Sequence, residues 1–129
     1  MSDECKLVLL EEGKKHMVAC LDMNQKKHDF LTVLEGVEKS KEILQIKRKI
    51  VWLADGKKSG SIKYEFKGIW TLKHGQIRLP FFYHTKIPGL IVIIHFFQKK
   101  SDKWSQDQKK RALERKKLAN GIVKLTPLE

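Results

Sequence analysis

Lys73 and Arg78 stand on either side of the dipeptide His74-Gly75, and His95 is followed closely by Lys99 and Lys100. A set of cations with one imidazole suits phosphodiester cleavage. An RNA 2′-hydroxyl attacks its own 3′ phosphate without a metal, provided a base takes its proton, cations meet the charge growing on the phosphoryl oxygens, and a donor protonates the leaving oxygen. Arginine adds a fork of donors that matches phosphate oxygens. Each residue also has an ordinary explanation. A lone histidine in an apolar strand is most often a satisfied core residue. Lys73 and Arg78 fit a solvated sheet face, and Lys99-Lys100 fits a strand end.

Other chemistries lack their residues. The histidines at 16, 28, 74, 84 and 95 form no H-x-x-x-H pair and none stands at ligand spacing from a cysteine, so no metal is expected. A P-loop, a G-x-G-x-x-G run and a G-x-S-x-G elbow are all missing, so no nucleotide cofactor or serine hydrolase is expected. Carboxylates are too sparse in the basic half for paired-acid glycoside chemistry. Cys5 and Cys20 are expected to be free thiols. The net charge of +12 is unevenly spread: residues 1–40 hold 6 Lys and 8 acids, residues 41–129 hold 21 Lys/Arg and 7 acids. Such a field draws polyanions, nucleic acid first among them.

The elements that must position this set can be read from periodicity. The length suits one domain, taken as residues 1–129. Leu7–Leu10 reads as a first strand, with a possible continuation to Leu21 after a turn near Gly13. Phe30, Leu34 and Val37 recur at helical spacing, as do Ile43, Ile46, Ile50 and Leu53, which predicts helices over 25–37 and 41–54 packed as a hairpin. From Ser61 the period becomes two. A turn at His74-Gly75 places Lys73 opposite Gln76 and Leu72 opposite Ile77. Trp70, Leu72, Ile77, Leu79, Phe81 and Tyr83 then face the core, and Thr71, Lys73, Gln76, Arg78, Phe82 and His84 face the other way. Pro80 lacks a ladder donor and implies an edge or a bulge. Leu90–Phe97 is apolar on both sides and reads as one central strand. Eight residues are far short of the about 20 a membrane span needs. The start MSDECKL has no signal-peptide pattern, so a cytoplasmic protein without membrane contact is expected. Ser105 and Gln108 form a capping-box pattern ahead of a helix over 106–119, rich in Lys109, Lys110, Arg111, Arg115, Lys116 and Lys117. Ala112 and Leu118 give that helix a narrow apolar stripe, so it is expected either to dock loosely or to contact a partner. The fold class is α+β.

The stretches GIWTLKHGQIRLPFFYH and IVIIHFFQKKSDKWSQDQKKRALERKK resemble the HigB-type, phage-derived branch of the RelE/ParE toxin superfamily. Members read W/Y-E-L-R, then Y-R-V-x-Y, then an apolar strand ending L-L-H-x-F-x-K-K-T, then a basic helix. The resemblance covers about residues 25–118, most specifically 68–117. It implies an N-terminal strand and helical hairpin, a small antiparallel sheet and a C-terminal basic helix. It also implies a toxin of a type II toxin–antitoxin pair, most often an endonuclease on ribosome-bound mRNA, partnered by a helix-turn-helix antitoxin. Carried over by position, Arg78, Lys73, Lys100 and His95 are the candidate catalytic residues. His95 is the first choice of base and His84 the second. Lys99, His84, Lys103, Lys109, Lys110 and Arg111 are candidate RNA contacts. Thr71 replaces the usual glutamate, Pro80 interrupts the strand after Arg78, and no tyrosine starts the last helix, where Trp104 and Gln106 stand. A gyrase inhibitor of ParE type, or a member that binds without cleaving, is the alternative on the same fold.

Overall fold

A computed structural model describes residues 5–23, 41–57, 60–99 and 103–127. In chain order the elements are β1 (Lys6–Glu12), β2 (Met17–Asp22), α1 (Lys41–Ala54), β3 (Ile62–Phe66), β4 (Ile69–His74), β5 (Ile77–Tyr83), β6 (Leu90–Ile93), β7 (Phe97–Gln98), α2 (Gln106–Asn120) and β8 (Leu125–Pro127). The strands form one sheet in the order β3-β4-β5-β6-β2-β1-β8, with β7 beside β5.

This corrects the expected architecture. The chain does not build an N-terminal strand and helical hairpin beside a small antiparallel sheet. Eight strands form one mixed sheet that dominates the fold, with two helices among the described residues. β1 and β2 pair antiparallel, β2 runs parallel to β6, and β1 runs parallel to β8. The reason lies in β2, which is buried at four successive positions, Val18 to Leu21. A strand apolar on both sides must be covered on both faces, so it enters the sheet beside β6. The helix expected over 25–37 lies outside the described residues. Its expected partner is α1, whose stripe Ile43, Ile46, Ile50 and Leu53 is wholly buried.

Each face of the sheet carries a helix. On one side α1 packs over Val8, Val18, Cys20, Leu72, Leu79 and Phe81. On the other, α2 packs over Leu7, Ala19, Ile69, Phe82, Leu90 and Val92. The face expected to be solvated is therefore also core: Thr71 and Phe82 are fully buried. Thr71 meets the requirement of a buried hydroxyl by donating to Glu65 Oε2 at 2.8 Å. Cys5 and Cys20 are not joined in a disulfide and belong to opposite faces. α2 buries Ala112 of the stripe foreseen for it, with Ala119 rather than the half-buried Leu118 as the second residue. Ala112 and Ala119 are fully buried, and their small side chains let the helix approach the sheet closely.

The hairpin register also differs from expectation. His74 pairs with Ile77, Lys73 with Arg78 and Leu72 with Leu79. The two-residue loop is Gly75-Gln76, with Gly75 at φ 58°. Glycine at the first loop position is the requirement of a type II′ hairpin turn, whose twist matches the strands. The slip is by two residues, so each side chain keeps its expected face. Its effect on the cations is large: Lys73 and Arg78 become direct cross-strand neighbours.

Pro80 sits in a central strand. Ile94 N donates to Pro80 O at 2.9 Å, so the proline's missing N–H faces the same neighbour. Opposite it the expected continuous strand breaks at residues 94–96, between β6 and β7. The missing ladder donor accounts for the break. His95 lies in that break.

Candidate functional site

The β4–β5 hairpin tip gathers cations from three elements. Lys73 and Arg78 share the α2 face and are both half-buried. Arg78 turns its guanidinium back over the tip, where Nη1 donates to Gly75 O at 2.7 Å and to Ile77 O at 3.0 Å. Those bonds fix one nitrogen and leave the other guanidinium donors for a phosphate. β7 pairs with the same strand, and Lys99 N donates to Gln76 O at 2.7 Å, which holds Lys99 beside the tip. From α1, Lys49 Nζ donates to Lys73 O at 2.8 Å. Burial pulls the Lys49 ammonium below the usual lysine range. Lys49 was missed in the sequence reading; its only signal there is a lysine on the flank of an apolar helical stripe. Among the described residues none of Lys73, Arg78 and Lys99 is paired with a carboxylate. Lys100 lies outside the described residues.

A cleft of about 220 Å³ adjoins the tip, lined by Phe97, Lys99, Lys103, Trp104, Ser105 and Gln108. It runs from β7 to the start of α2. Ser105 caps that helix by accepting from Gln108 N at 3.1 Å. The return arm of the expected capping box is diverted, because the Gln108 side chain reaches His95 instead. Trp104 is buried edge-on against Phe97 and Phe66. Lys109 is half-buried, while Lys103, Lys110 and Arg111 are exposed.

His95 is not placed as a general base. Its Nε2 donates to Gln108 Oε1 at 2.5 Å, and its Nδ1 accepts from Arg115 Nη1 at 3.1 Å. Both ring nitrogens are thus engaged. Burial, with Arg115 and Arg111 nearby, holds the imidazole down to about 4, although the Gln108 bond opposes the shift. His95 packs against Phe97, the strand partner of Arg78, so the two candidate residues are on one face with a phenyl ring between them. Among the described residues no hydrogen bond joins His95 to Lys73, Arg78 or Lys99.

His84, the second candidate base, is a clamp. Its Nε2 donates to Ala119 O (3.2 Å) and Ile122 O (2.9 Å), and its Nδ1 accepts from the backbone N–H of Lys86 and of Ile87, both at 3.1 Å. One buried ring thereby joins the end of α2 to the loop after β5. We expect His84→Ala to lower unfolding free energy by about 2–3 kcal/mol, since four hydrogen bonds to backbone groups are lost and, among the described residues, only Ala119 O keeps another, from Ile122 N. A urea midpoint unchanged by the substitution would remove the clamp.

No three His, Cys, Asp or Glu side chains among the described residues come together as a metal-binding group. No described helix is long and apolar enough to cross a membrane.

Over residues 57–117 the chain matches the family model described as Phage derived protein Gp49-like (DUF891). This stretch resembles the Gp49-like proteins. It takes in the hairpin, the broken strand and most of the basic helix, so Lys73, Arg78 and Lys99 lie in the Gp49-like part, and Lys49 does not. The N-terminal hairpin, α1 and β8 lie outside it. The Gp49-like phage-derived proteins are associated with toxin–antitoxin systems. No curated protein matches the chain.

Proposed function

We propose that the protein is the toxin of a toxin–antitoxin pair, of HigB type, and that it cleaves single-stranded RNA without a metal by 2′-hydroxyl attack on the phosphodiester. The observation that carries the reading is the convergence of Lys73, Arg78 and Lys99 on one hairpin tip, beside a cleft that a strand can enter. Three cations meet charge as it grows on the phosphoryl oxygens, and the Arg78 guanidinium, already held in place, needs no reorganisation at that moment. The engagement of both His95 nitrogens shifts the weight of catalysis from proton transfer to charge stabilisation. His95 becomes a positioning residue that fixes Gln108 at the cleft wall. An antitoxin and ribosome-bound mRNA are the partners this reading implies.

The test is induced expression in bacteria with primer extension on an abundant mRNA. Wild type is expected to arrest growth and leave new cuts. Arg78→Ala is expected to reduce cleavage about 100-fold, the lower range for losing one preorganised transition-state donor. Arrest without cuts would sink the nuclease reading and favour a gyrase or other protein target. A non-cleaving, binding member of the fold is the second reading, and the occupied His95 ring is the observation that favours it.

A further inference from the structure

The far end of α2 builds a second cationic cleft. It measures about 510 Å³ and is lined by Lys67, Lys86, Lys116, Lys117 and Asn120, with Leu113 and Gly121 completing the wall. No carboxylate lines it. Its four ammonium groups come from three separate segments: the β3–β4 turn, the loop after β5, and the last turns of the helix. Like charges repel, so bringing four together in one concavity is unfavourable unless an anion is met there.

Specific bonds hold those segments in place. Lys116 Nζ donates to Lys67 O at 2.6 Å, which joins the helix to the β3–β4 turn. Asn120 Oδ1 accepts from Thr85 N at 3.0 Å, and Asn120 Nδ2 donates to Thr85 Oγ1 at 2.8 Å. The His84 ring binds Lys86 N on one side and the carbonyls of Ala119 and Ile122 on the other. Lysines at a helix C-terminus are ordinarily explained by the helix dipole and its unpaired carbonyls. Here the Leu118 and Ala119 carbonyls already accept from Gly121 N and Ile122 N. Lys86 and Lys67 do not belong to the helix at all. A cleft whose backbone is fixed before binding loses little conformational freedom when an anion arrives.

We infer that the Lys67–Lys86–Lys116–Lys117 cleft binds backbone phosphates of single-stranded RNA, as a second anchoring site for the strand whose scissile phosphate lies at the β4–β5 tip. This rests on the RNA reading above and adds a site to it. Gln108, at the first cleft, and Lys117, at the second, are about 14 Å apart along α2 at 1.5 Å per residue. Lys110 and Arg111 are exposed between them. Glu114 is also exposed on that stretch, so a strand that winds around the helix from one cleft to the other passes Lys110 and Arg111 and one carboxylate.

The experiment measures binding of a fluorescein-labelled oligouridylate, long enough to span α2, to the full chain between about 50 and 200 mM salt. Wild type is compared with Lys86→Glu/Lys117→Glu. Both side chains are exposed, and the His84 bond uses the Lys86 backbone, so the fold is expected to stay intact by circular dichroism. Each phosphate contact on a single strand contributes about 0.7 to the slope of log K against log salt. The variant is expected to bind about 20-fold more weakly near 100 mM, with a slope shallower by about 1.4. Lys86→Arg/Lys117→Arg should bind like wild type. If the reversal variant fails to fold, Lys86→Gln/Lys117→Gln is read in the same way. Tight wild-type binding that the variants leave unchanged would overturn the cleft and leave the RNA reading standing. Wild type that ignores the oligouridylate would overturn both.

Discussion

Gly13→Ala is expected to destabilise the protein by about 4 kcal/mol, most of what a small domain has to lose. The turn between β1 and β2 lies on the end of α1. A Cβ at residue 13 would stand 2.3 Å from the Ala54 carbonyl carbon, 2.5 Å from its oxygen and 2.5 Å from its Cβ. None of these is the end of a flexible side chain, so the backbone itself must move. The same carbonyl accepts from Lys15 N at 3.1 Å and His16 N at 2.8 Å, and Lys14 N donates to Asp55 Oδ1 at 3.0 Å. Separating the turn from the helix lengthens all of these bonds. Overpacking alone costs about 1–3 kcal/mol, and each weakened hydrogen bond adds about 1. Gly60→Ala is the matched control, because nothing lies within 4 Å of a Cβ there. Urea denaturation of both variants reads the difference. A Gly13→Ala midpoint close to that of Gly60→Ala would contradict the close approach.

Acid should weaken the fold through His95. Its folded-state value of about 4 lies below the ordinary histidine value of 6.5. Between those two pH values the unfolded chain binds a proton that the folded chain refuses. Stability from this group is therefore complete above pH 6.5, falls as pH drops, and is lost by about pH 4. The size is on the order of 3 kcal/mol, from 1.36 kcal/mol per unit. The physical events are clear. Protonating Nδ1 removes the acceptor for Arg115 and places a cation beside Arg115 and Arg111 in a buried site. His95→Asn should be less stable at neutral pH, yet lose about 3 kcal/mol less than wild type when both are taken from pH 7 to 4. Parallel losses in the two proteins would rule His95 out as the source.

Local patterns in the sequence were informative because they report burial directly. The stripe from Ile43 to Leu53 identified α1 and its buried face. The period of two assigned the faces of β4 and β5, although the turn was misplaced by a residue at Gly75, since either neighbour of a glycine can complete a two-residue loop. Pro80 was understood as a fault in the ladder, but the fault appears in the next strand as the gap before Phe97. What joins distant segments left no local trace. The parallel pairings of β2 with β6 and β1 with β8 depend on which apolar strands find each other, and so the expected helical-hairpin architecture failed. At the site, the hairpin cations were legible because Lys73 and Arg78 are close in sequence. The motif around His95 was legible as a pattern but not as a role. Gln108 and Arg115, which occupy its nitrogens, come from a helix whose charges all look solvent-bound in sequence.

The parallel pairing of β1 with β8 also sets the order of events in folding. Leu7 aligns with Leu125, so nearly every described residue lies in the loop that this pairing closes. Contacts of such separation form late, and sheets that depend on them fold in milliseconds to seconds rather than microseconds. The β4–β5 hairpin, by contrast, needs only a two-residue loop and forms in about 1–10 μs once its residues are free. The cationic tip can therefore exist while the N-terminal edge of the sheet is still open. During that interval β1 presents an unpaired strand edge, where a second chain could add in place of β8.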